Sequence, residues 1–83
     1  MGEKEIIFIG LREIQKKKDG EIKTYRIFTY AMELNGEGKS IDEFIGETKY
    51  DYLKSLNMKY GEKYLASFTM DLNRKVAIKE IVA

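Results

Sequence analysis

Between Ile22 and Leu34 the chain runs for thirteen residues, IKTYRIFTYAMEL, with no glycine, no proline and a high density of β-branched and aromatic side chains. Such side chains fit a pleated, half-buried surface, so the run reads as a strand. At about 3.3 Å per residue it extends roughly 43 Å, against about 17–20 Å for an ordinary strand. A strand of that length in a chain of 83 residues must coil or be shared between two sheets. That requirement points to a small closed barrel.

Eighty-three residues make one domain, 1–83, and a domain of this size buries only about 60% of the surface its unfolded chain exposes. The net charge is +1, so no whole-chain field argues for a polyanion or a membrane. The charge is uneven, however: residues 1–30 carry seven basic and five acidic groups, and residues 31–60 carry four and six. There is no cysteine, which removes disulfides, thiolate metal sites and a cysteine nucleophile. The opening residues lack a signal-peptide pattern and no apolar run reaches membrane-spanning length. A soluble, cytoplasmic protein is expected.

Along the chain, residues 5–16, EIIFIGLREIQK, form another strand, interrupted by Gly10. Glycine inside a strand marks either a bulge or sharp bend that hands the strand from one sheet to another, or a single strand that is locally weakened. Before it, either Ile6 and Phe8 or Ile7 and Ile9 face the core; after it, Leu11 and Ile14 break the period of two. Asp19-Gly20 supplies the positive φ of a tight hairpin turn between these two strands. Residues 35–40, NGEGKS, read as a polar loop and Ile41–Glu47 as a short strand. Thr48-Lys49-Tyr50-Asp51 has the form of a helix N-terminus, with Tyr52, Leu53 and Leu56 on one face of about two turns before Asn57 ends it. Glu62–Leu72 alternates again, Asn73-Arg74 turns, and Lys75–Val82 is the last strand.

The order strand, strand, strand, short helix, strand, strand is that of the five-stranded antiparallel OB-fold barrel, a mainly β architecture. An SH3-like barrel is the rival, but it offers no place for a helix after the third strand.

The residue inventory gives catalysis little to work with. Histidine is absent, and the serines Ser40, Ser55 and Ser67 lie in no nucleophile elbow. Asp42 and Glu43 are neighbours in a strand and so point to opposite faces. No enzyme activity, metal or cofactor is expected. Gly36–Ser40 lacks the spacer of a phosphate-binding loop and reads as an ordinary hairpin loop.

Binding has more to support it. Lys16, Lys17 and Lys18 are either a solvated charge run or a phosphate clamp on a hairpin. Arg12, Lys23 and Arg26 flank that turn, and Arg74 and Lys75 occupy the last turn, which in an OB barrel approaches the same groove. On the long strand, Tyr25 lies on one face and Phe28 and Tyr30 on the other. One set fills the barrel and the other is at least partly exposed, either packing across strands or stacking on unpaired bases.

The stretches IGLREIQKKKDGEIKTYRIFTY and LNMKYGEKYLASFTMDLNRKVAIKEIV resemble the small OB-fold proteins of phages, plasmids and conjugative elements, including helix-destabilising proteins that act in DNA replication. The resemblance spans nearly the whole chain. It implies binding to single-stranded DNA (RNA being the alternative polymer) with little sequence preference. Micromolar affinity then asks for phosphate contacts or several copies side by side, so a homo-oligomer is expected, with no small-molecule substrate and no membrane. The resemblance also implies that Tyr25, Phe28 and Tyr30 stack on bases while Lys16–Lys18, Lys23 and Arg26 track phosphates. The competing expectation is a protein-interaction module that binds through an open sheet edge and no nucleic acid.

Overall fold

The computed structural model describes residues 2–34, 36–70 and 76–83. Five antiparallel strands and one helix follow the expected order: β1 (Glu3–Lys18), β2 (Glu21–Leu34), β3 (Glu37–Ile45), α1 (Glu47–Ser55), β4 (Lys63–Met70) and β5 (Val76–Ile81). They form one sheet in the order β3-β2-β1-β4-β5. β1 and β2 meet through Asp19 and Gly20, both at positive φ (52° and 79°), as a two-residue primed turn requires.

The β1–β2 register shifts between Phe8 and Gly10, so the chain bulges at the glycine. Below the bulge Ile6 and Phe8 face inward; above it the extra residue moves Leu11 onto that same face. The bulge therefore keeps one strand's apolar residues on the core side although their sequence spacing breaks the period of two.

The core lies inside the curl of the sheet. Ile6, Phe28, Tyr30, Met32, Ala66, Phe68 and Ile78 come from four strands, and Leu53 comes from α1. Ring contacts run through it from Phe8 to Phe28 (6.0 Å), Phe28 to Tyr30 (5.0 Å) and Tyr30 to Phe68 (6.2 Å).

A fully closed ladder was expected, and the sheet is not closed: β3 and β5 are its two edges, with no pairing between them among the described residues. Side chains span the seam instead. The Ile78 amide donates to Glu43 at 3.0 Å, and Tyr30 Oη donates to the same carboxylate at 3.2 Å. Lys49 Nζ donates to the Ile78 carbonyl and sits 3.8 Å from Glu43. Tyr52 Oη accepts from the Ile81 amide at 3.0 Å. Glu43, Lys49 and Tyr52 thus satisfy backbone groups of an edge strand that would otherwise be left without partners.

Three local expectations are corrected. Glu37–Ser40 belongs to β3, not to a loop; these four residues are exposed on both faces, beyond the part of β3 that packs on the core, so no apolar alternation marks them. The helix starts one residue earlier than Thr48, after an extended Gly46 that caps it without a side-chain bond. Leu56 stands at the C-cap, 39% exposed, so Leu53 alone anchors the helix fully. Asn57 does end the helix, at φ 52°.

The strands differ in length, and this shapes the molecule. β4 pairs with β1 only from Glu3 to Ile7, and β3 pairs with β2 only from Arg26 onward. Arg12–Lys18 and Glu21–Tyr25 therefore project as a two-stranded arm with no third strand on either side among the described residues. The radius of gyration, 13.6 Å, exceeds the roughly 12 Å of a compact chain this long.

Candidate nucleic-acid interface

Cross-strand partners point to the same face, so the register sorts every side chain. Phe28 pairs with Leu11 and Tyr30 with Phe8, all on the inner face. Phe28 is 0% exposed and Tyr30 2%, which corrects the expectation that they stack on bases: both rings are sealed in the core. Burial first, then the charge and hydrogen bond of Glu43, push the Tyr30 hydroxyl well above the ordinary phenol value. That group is a structural donor.

Arg26 also lies on the inner side. Its Nε contacts Glu13 at 3.0 Å and its guanidinium sits 5.9 Å from the Tyr50 ring centre. It belongs to the base of the arm and faces away from Tyr25 and Lys23. Lys17, opposite Ile22, shares that inner side but is exposed on the arm.

The outer face carries the rest. From the arm tip downward its cross-strand rows are Lys18 with Glu21, Lys16 with Lys23, Ile14 with Tyr25, and Arg12 with Ile27, where Phe44 of β3 also pairs with Ile27. Arg12, Lys16, Lys18 and Lys23 are exposed, and none makes an ion pair within 4.0 Å among the described residues. Lys16 and Lys23 stand directly opposite one another, an arrangement that destabilises a hairpin unless an anion lies between them. The helix and core lie on the other side, so no element among the described residues covers this face.

Tyr25 is half-buried and meets Phe44 edge to face, centroids 6.3 Å apart at 72°. Phe44 is 69% exposed. Ile27, at 5% exposure, fills the floor between them outside the main core. Phe44, Ile14 and Ile27 are the members of this surface that sequence reasoning missed. Their signal was alternation: with Ile41 and Ile45 inward, Phe44 must face out, but the inward Glu43 between them masks the pattern. Arg74 and Lys75 lie outside the described residues.

No group of three or more His, Cys, Asp or Glu side chains that could hold a metal occurs among the described residues. No helix among them is long and apolar enough to cross a membrane. Compared with family models, curated proteins and solved structures, the chain matches none of them.

Proposed function

We propose that the outer face binds single-stranded nucleic acid with little sequence preference, bases lying against Tyr25 and Phe44 and phosphates against Arg12, Lys16, Lys18 and Lys23. One observation carries this reading: a half-buried ring, Tyr25, and an exposed one, Phe44, lie in line with cations that have no ion-pair partner among the described residues. Every base has a π-face, so such a platform tolerates sequence, and ammonium groups on a ribbon follow a backbone without fixed geometry. The element order, with two edges within one side chain's reach, supports an OB-type barrel whose last seam is held by side chains. The resemblance to helix-destabilising proteins adds to the same reading.

Two stacked bases contribute roughly 2–6 kcal/mol, and a micromolar complex needs about 8. Phosphate contacts must supply the remainder. Fluorescence anisotropy of labelled oligo-dT across a salt series tests this. Three or four neutralised phosphates give a slope of log K against log salt of roughly −2 to −3. Absent binding at low salt, or affinity indifferent to salt, refutes the proposal and moves the protein-interaction reading ahead.

A further inference from the structure

β1 and β2 part company below the Ile7–Ala31 pair. From there β1 pairs only with β4, and Met32–Leu34 pairs only with β3. The parting leaves a cleft of about 610 Å³ between the two strands, at the opposite end of the sheet from the arm. Lys4, Glu5, Glu33 and Lys63 line it, and Gly36 and Gly38 form one wall without side chains. No ladder pair crosses it, so strand edges face the opening on both sides.

The molecule thus carries a protrusion at one end and a cleft at the other. The arm tip presents Lys16, Lys17 and Lys18 with Asp19 and Glu21, all exposed, on a ribbon whose outer edges are also unpaired. Beyond the cleft the outer face is acidic: exposed Glu3, Glu5, Glu33 and Glu80 outweigh Lys63 there, whereas Arg12, Lys16, Lys18 and Lys23 outweigh Glu21 at the arm. Arm against arm sets lysine against lysine, so a two-fold contact through the tips is disfavoured. Arm against cleft offers the lysines Glu33 and, in exchange for its exposed pair with Lys63 at 3.7 Å, Glu5, and it offers Asp19 and Glu21 the ammonium groups of Lys4 and Lys63.

We infer that the arm tip of one copy docks in the β1–β2 cleft of a second copy, joining chains head to tail. Such a contact is heterologous: the copy that gives its arm keeps a free cleft, the copy that receives it keeps a free arm, and growth is open-ended. The inference goes beyond the nucleic-acid reading and is measured with protein alone, so either can fail without the other.

Sedimentation velocity over a concentration series tests it at about 0.01 M salt, where charges act over about 30 Å, and at about 1 M, where they act over about 3 Å. The average mass is expected to rise with concentration at low salt and fall to that of one chain at high salt. Lys17→Glu with Lys18→Glu in one chain, and Glu5→Lys with Glu33→Lys in another, should each abolish association, with far-UV circular dichroism showing that both remain folded. Mixing the two variants restores complementary signs at both contacts and should restore association. A wild-type chain that stays monomeric at low salt overturns the inference. So does a mixture of two folded variants that stays monomeric.

Discussion

Replacing Phe44 by alanine separates a ring proposed to serve binding from one that serves folding. Phe44 is 69% exposed, and among the described residues its one ring contact is the edge-to-face pair with Tyr25. An aromatic pair contributes about 0.5–1.5 kcal/mol beyond its buried area, which bounds the stability at risk. If the ring stacks on a base, its loss costs about 1–3 kcal/mol of affinity, or roughly a 5- to 150-fold higher Kd. Phe28→Ala is the opposite case. That ring is 0% exposed at the centre of the core, and its removal costs about 3–5 kcal/mol of folding. A domain this size has only about 4–12 kcal/mol in total. Oligo-dT anisotropy at fixed low salt, alongside thermal melts, reads both quantities. Phe44→Leu keeps bulk without the π-face and should bind like the alanine variant. A folded Phe44→Ala chain that binds within twofold of the parent refutes stacking at this position.

Glu43→Gln removes the charge that receives the Ile78 amide and the Tyr30 hydroxyl and lies beside Lys49. About 2 kcal/mol of stability should go with it, a fall in Tm of roughly 8–16 °C in a calorimetric scan. Tyr30 titrates above its ordinary value in the folded chain, so the folded state holds its proton after the unfolded state has released it. Its contribution is complete below about pH 10 and declines as pH rises further, which urea melts along an alkaline series should show and the same series on Tyr30→Phe should show less. Gly20→Ala meets no steric obstacle but must hold φ +79°, at about 1–2 kcal/mol. That strain falls on the arm, so amide exchange across Lys16–Lys23 should quicken roughly 5- to 30-fold while Tm stays put.

Most of the sheet was legible because its signals are local. The long apolar-aromatic run gave β2, Asp19-Gly20 gave the turn, and Gly10 marked the bulge that re-aims Leu11. What stayed hidden depends on residues far apart in sequence. The two faces of β2 look alike in the text: Tyr25 on one, Phe28 and Tyr30 on the other, each set aromatic. Only the position of α1 and β5 decides which face is sealed, and their core residues Leu53 and Ile78 lie 25 and 50 residues beyond Phe28. Glu43 is the sharpest case. An acidic residue on the inner face of a strand reads as an error in the pattern until Ile78 and Tyr30 are brought to it. It both concealed the alternation that exposes Phe44 and replaced the backbone ladder expected to close the barrel.

The same length mismatch explains why the candidate surface lies where it does. β1 and β2 have 16 and 14 residues, while β3, β4 and β5 have 9, 8 and 6. The short strands suffice to wrap a thin core, and one carboxylate with two helix side chains holds the seam. Whatever β1 and β2 have beyond that wrapping cannot be paired and must stand in water. A two-stranded ribbon on its own is marginal, and this one also sets Lys16 against Lys23 and leaves Ile22 68% exposed. A chain that keeps such a ribbon against its own stability retains local choices that folding does not favour. Conflicts of that kind concentrate at functional sites. Here they concentrate on one arm and on the Tyr25–Phe44 platform at its root, whereas in the core the rows Phe8 with Tyr30, Leu11 with Phe28 and Phe68 with Ile78 agree with burial, and the acidic Glu43 opposite Phe28 is met by the Ile78 amide and the Tyr30 hydroxyl.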